Sequence, residues 1–270
     1  ELNGDRFHAT HATGQFGSTG VRYPQGAGEQ FDADYEKGES FDITGEWILN
    51  TNDSHGTHVT GTVGGNRDGS EFHGVAWGAD VYVGNTGGTD DSNYGPFLDH
   101  DFFLAGWSAI VKDINSANAL AGNPDRGGVI NNSFGTNTRV VNNGSTGYDG
   151  YNTSVHLPVN TTAQTEYEYF LFNQVYGPDQ SFVDAAWEAV KDTNVIQVMT
   201  TGNRDMANPY YRPLYPYFNP EAEQNWIAVA GLKKLDGEGE NAHYGLIKNF
   251  NEAGNAKWWT VVGPGDSIYS

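Results

Sequence analysis

The hydrophobic positions of this chain fall into short runs separated by polar, glycine-rich stretches. Residues 1–50 have few consecutive apolar positions and an acidic cluster at Asp32, Asp34, Glu36, Glu39 and Asp42. That pattern predicts long loops with short strands at most. At 74–85 a Gly-Val-Ala-Trp-Gly turn leads into Val-Tyr-Val, read as a short buried strand. Phe103, Leu104, Trp107, Ile110, Val111 and Ile114 recur at helical spacing and predict a helix over 101–121. A brief strand at 129–132 runs into Ser133, Phe134 and Gly135. Residues 181–192 read as an amphipathic helix with Ser181 as its N-cap. Apolar runs at 195–201, 226–232 and 258–262 read as further strands. Strands alternating with helices predict an α/β fold, with a mostly parallel sheet covered on both faces.

Residues 136–180 break this alternation. They are rich in Asn, Thr, Tyr and Gly and read as an inserted surface excursion. Tyr148, Tyr151, Tyr167, Tyr169 and Tyr176 either pack this insert onto the body or line a binding surface, and packing is the simpler reading. No internal repeat and no interdomain linker interrupts residues 1–270, which read as a single domain.

Composition narrows the classes. The 270 residues, 37% hydrophobic and 13% aromatic, suffice for one large globular core. The 34 acidic against 14 basic residues give a formal charge of −20. No basic patch is available to displace counterions from a nucleic acid or to hold an anionic membrane. Cysteine is absent, which excludes disulfides, thiol catalysis and cysteine-zinc sites. There is no apolar run long enough to span a bilayer, and residues 1–10 lack the basic start and apolar run of a signal peptide. An acidic surface fits a secreted protein, extracellular or at the cell surface, and equally a calcium-rich or a salty setting.

Residues 52–65 carry the most chemistry: Asn-Asp-Ser-His-Gly-Thr-His-Val-Thr-Gly-Thr-Val-Gly-Gly. They place His55 at the mouth of a helix of small residues, where packing gives a histidine little to do. The positive end of the helix dipole favours the neutral imidazole, the form that accepts a proton in general-base catalysis. Gly56, Thr57, Gly61 and Thr62 leave room for a second backbone to approach. A second signal is Thr200-Thr201-Gly202-Asn203, directly after a strand. Ligands of parallel sheets sit at the carboxyl ends of strands, and an Asn amide placed there can donate to a developing oxyanion. A third is the strand ending in Ser133, Phe134 and Gly135, which offers a backbone edge to an extended peptide. Phe134 is placed either to contact a substrate side chain or to face the core.

Together these segments resemble the subtilisin family of serine peptidases. Residues 52–65 are similar to its histidine motif, 129–135 to its substrate-backbone strand, and Gly202 and Asn203 to its oxyanion turn. His73-Gly74-Val75-Ala76, Trp226-Ile227-Ala228-Val229-Ala230, Phe250-Asn251-Glu252-Ala253-Gly254 and the Gly-Pro-Gly stretch at 263–265 resemble further family segments, in the right order. The large insert, the lack of cysteine and the Trp-rich end are similar to bacterial autotransporter subtilases. The resemblance implies a three-layer sandwich with helices on both faces of the sheet. It also implies a serine endopeptidase acting on polypeptides, with His55 and Asn203 as catalytic residues and Ser133, Phe134 and Gly135 as substrate-binding residues.

Two departures qualify this. No Asp-Ser/Thr-Gly strand precedes His55, and no Gly-Thr-Ser-Met segment follows the 263–265 turn. The expectation is therefore a domain incomplete at both ends, carrying the general base and oxyanion donor and inactive as an isolated chain. A non-catalytic, peptide- or protein-binding domain of the same fold is the alternative. A zinc site built on His55, His58 and Asp53 lacks a water-activating Glu, and His58 reads more simply as a buried structural histidine. No cofactor is required for the chemistry. Structural calcium is compatible with the acidic loops and the family, but no spacing matches an oxygen-ligand loop.

Overall fold

In the computed structural model the described residues are 2, 4–19, 35–46, 54–69, 72–85, 99–133, 181–203, 207–237, 239–247 and 250–265. The insert expected at 136–180 lies outside them.

Three short strands form near the start of the chain: β1 (Phe7–Ala9), β2 (His11–Gln15) and β3 (Ser40–Thr44). β2 and β3 pair antiparallel, from His11 opposite Thr44 to Gln15 opposite Ser40. In β3, Phe41 and Ile43 are buried while Ser40 and Asp42 face solvent, the period of two that a half-buried strand requires. Phe16 and Tyr35 join them in an aromatic cluster with Phe102, Phe103, Trp107 and Phe182. Ring centroids lie 4.5 Å apart for Phe16–Tyr35, 5.0 Å for Phe103–Trp107 and 5.4 Å for Phe103–Phe182. A segment that reads as polar loops thus supplies one wall of the core, because a few apolar side chains at alternate positions suffice.

Helix α1 (Ser54–Gly64) follows, then β4 (Val81–Val83), which pairs parallel with β1. β4 is half-buried rather than buried, contrary to the sequence reading. Helix α2 (His100–Leu120) starts where the buried Asp99 caps it, accepting from the Phe102 N–H at 2.8 Å. The same carboxylate accepts from the Ser18 N–H and hydroxyl at 2.8 and 2.7 Å, which ties the early strands to the helix. Helix α3 (Phe182–Glu188) begins at the expected Ser181 cap, with a capping box to Asp184. It ends at Glu188, short of the expected 192. There Trp187 O accepts from both Val190 N at 3.0 Å and Lys191 N at 2.9 Å, a tightened last turn that hands the chain to the next strand.

Among the described residues the main sheet has five strands: β5 (Gly128–Asn132), β6 (Val195–Thr200), β7 (Trp226–Asp236), β8 (His243–Leu246) and β9 (Thr260–Pro264). A short helix α4 (Tyr215–Phe218) and a 3₁₀ turn (Pro220–Asn225) lie between β6 and β7. β5, β6, β7 and β9 run parallel, and β8 pairs antiparallel with the far half of β7. One face, carrying Ile130, Asn132, Gln197, Met199, Trp226 and Ala228, is buried; Ile130, Met199 and Trp226 join a core with α2 and α3, and Ala228 packs with Leu214 and Ala256. The other face carries Val129, Ile196, Val198, Ile227 and Val229, and Val129 is 64% exposed. Among the described residues, the expected helical cover is therefore seen on one face. The helices seen there, α2 and α3, both carry broad apolar stripes, whereas α1 is small-residued and mostly exposed.

Candidate active site

α1 is fixed at its C-terminal end. Thr62 O and Val63 O accept from Val75 N at 3.0 Å and Ala76 N at 2.7 Å, so the 74–76 turn is stapled to the last helical turn. Arg6 donates to Gly64 O at 3.1 Å, to Ala79 O and to the Asn66 side chain, a cation at the negative end of the helix dipole. A Cβ on Gly74 would stand 2.3 Å from Gly65 N, so this is where backbones meet closely. Among the described residues, a Cβ on Gly56 would meet nothing within 4 Å, so the space beside it is open. His55 stands exposed on the first turn, at the opposite end from these anchors. His58 is exposed too, which corrects the expectation of a buried structural histidine. The small residues around it give no cover, and Thr60 and Thr62 turn their hydroxyls back to Gly56 O and His58 O.

Ser133 and Asn203 come to the same edge of the sheet. β5 and β6 are parallel neighbours with Asn132 opposite Met199, so Ser133 and the 201–203 turn leave adjacent strands at their carboxyl ends. Ser133 is half-buried, and its hydroxyl accepts from Asn131 Nδ2 at 2.8 Å. Phe134 and Gly135 lie outside the described residues. β5 pairs with β6 alone among the described strands. Asn203 is exposed, and the turn before it is tightly held. Thr201 N donates to Val229 O at 2.9 Å, extending the ladder by one residue. Gly202 has φ of +112°, a conformation that favours glycine, and a Cβ there would stand 2.4 Å from the Tyr210 ring and 2.7 Å from Asn251 Nδ2. Among the described residues, no hydrogen bond joins His55 to Ser133 or Asn203.

Behind the edge lies a buried amide relay absent from the sequence reading. Trp107 Nε1 donates to Asn132 Oδ1 at 3.2 Å, Asn132 Nδ2 to Gln197 Oε1 at 2.8 Å, and Gln197 Nε2 to Ala186 O at 3.0 Å. It couples the residue before Ser133 to α2, β6 and α3. A visible signal was Gln197, a polar residue at a core-facing position of an apolar strand. Among the described residues, no group of three or more His, Asp or Glu side chains comes together to hold a metal ion. No described helix is long and apolar enough to cross a membrane.

Ser133 and the 201–203 turn thus share the carboxyl edge of a parallel sheet, the place where α/β sheets take their ligands. The chain belongs to the subtilase family of serine peptidases, whose family model matches residues 25–270. No curated protein matches it.

Proposed function

We propose that this chain is the peptidase domain of a subtilase endopeptidase and that His55 is its general base. In this reading His55 takes the proton of a nucleophilic serine as it attacks the scissile carbonyl, then returns it to the leaving amine. The Asn203 amide donates to the oxyanion as charge develops on it. Ser133, Phe134 and Gly135 pair with the substrate backbone and hold the carbonyl in line. The serine and the carboxylate that orients the imidazole are assigned to none of the 270 residues. The proposal includes a second helical layer over Val129, Ile196, Val198 and Ile227, completing a three-layer sandwich, and action outside the cytosol. No calcium ligand is assigned, and no cofactor enters the steps.

The observation that carries this reading is the placement of Ser133 and Asn203 at the carboxyl ends of adjacent parallel strands, in a chain whose small-residue helix opens at His55. Steady-state hydrolysis of a peptide library by the full-length protein tests it. His55→Ala is expected to lower kcat by about 10²–10⁴-fold. Asn203→Ala is expected to cost about 10²–10³-fold with KM little changed, a range taken from an oxyanion-hole asparagine of a subtilisin. Hydrolysis that survives His55→Ala at full rate would overturn the assignment.

A further inference from the structure

An oxyanion donor works only if its amide is aimed before the charge forms. The aim of Asn203 is set by the peptide unit joining it to Gly202. That unit is planar, so fixing its carbonyl oxygen fixes the direction in which Asn203 leaves the turn. Gly202 O accepts from the backbone N–H of Asn251 at 2.8 Å. One unit earlier, Thr201 O accepts from Asn251 Nδ2 at 2.9 Å and from Tyr210 N at 3.1 Å. Thr201 Oγ1 donates in turn to Asn251 O at 2.9 Å. Asn251 thus holds both carbonyls that precede Asn203 and accepts from the Thr201 hydroxyl. It is 2% exposed, so water has little access to stand in for its amide. A turn that only glycine enters readily, with its Cα packed against the Tyr210 ring and the Asn251 amide, has little room to relax toward another geometry.

We propose that Asn251 is a positioning residue for the oxyanion donor, acting through the orientation of the 201–203 turn. The inference rests on the proposed role of Asn203.

A double-mutant cycle in the full-length protein tests it: wild type, Asn203→Ala, Asn251→Ala and the double variant, with kcat counted per fluorophosphonate-reactive serine so that misfolded molecules are not scored. Asn251→Ala removes the Thr201 bridge but keeps both backbone bonds. It is expected to lower kcat about 10-fold with KM within about twofold, the signature of an interaction felt in the transition state. In the Asn203→Ala background it is expected to change kcat less than about twofold, since the donor it aims is gone. If Asn251→Ala does not fold, Asn251→Asp keeps the side-chain size, replaces the donor with an acceptor, and is expected to show the same loss and the same cancellation. An unchanged kcat, or the same loss in both backgrounds, would overturn the positioning role while leaving Asn203 as donor. A full-rate Asn203→Ala variant would overturn the donor assignment itself, and the positioning role with it.

Discussion

Asn132→Leu tests the packing behind the substrate edge. The side chain is almost fully buried and bridges Trp107 Nε1 to Gln197 Oε1. Leucine fills the same space but offers neither partner. Two buried groups are then stranded, each at about 1–3 kcal/mol, and the added apolar burial returns about 1 kcal/mol. The expected net loss is about 3 kcal/mol, read as a lower urea midpoint at unchanged slope in the full-length protein. Trp107→Phe supplies the control. In the wild type it strands Asn132 Oδ1, whereas in the Asn132→Leu background it removes a donor already stranded. The two losses should therefore fall short of additivity by at least about 1 kcal/mol. Asn132→Leu within about 0.5 kcal/mol of wild type, the range of an ordinary surface change, would show that the relay carries no stability.

Gly202→Ala combines a strained φ with a Cβ pressed against Tyr210 and Asn251, and is expected to cost about 1–3 kcal/mol in urea and to lower kcat along with it. Wild-type stability with wild-type kcat would contradict the turn described above. Tyr82, stacked on His8 at a centroid distance of 4.8 Å, titrates above the ordinary tyrosine value because burial, then the Asp80 and Asp113 carboxylates, disfavour its phenolate. Folding thus favours the neutral phenol: the contribution is complete below the unfolded tyrosine value and is lost as pH rises toward the higher folded one. Tyr82→Phe should flatten part of the alkaline stability loss and remove a late step from the absorbance titration at tyrosinate wavelengths. An identical alkaline limb in both proteins would refute this.

Helices α2 and α3 and the parallel strands β5, β6, β7 and β9 were legible in the sequence because their apolar positions form runs of the right period, whereas β8 and α4 were not. α2 shows at Phe103, Trp107 and Val111, and the α3 cap shows at Ser181. What the sequence could not yield are pairings between distant segments. Thr201 and Asn251 stand 50 positions apart, and nothing periodic links them. The same holds for Asn132 and Gln197, 65 apart, although a lone Gln at a core-facing strand position was a hint. Residues 1–50 misled for another reason. Asp, Glu and Gly outnumber the apolar positions, yet among the described residues Phe16, Tyr35, Phe41 and Ile43 are buried in the core and Ala12 packs against it. His58, read as a buried structural histidine, stands exposed on α1.

Reaction of the full-length protein with a fluorophosphonate probe tests the central claim most directly. The account predicts that one serine is labelled in the wild type and that His55→Ala slows labelling by about 10²–10⁴-fold, because an unassisted hydroxyl is a poor nucleophile. Folded protein with no labelled serine, or equal labelling rates with and without His55, would contradict it.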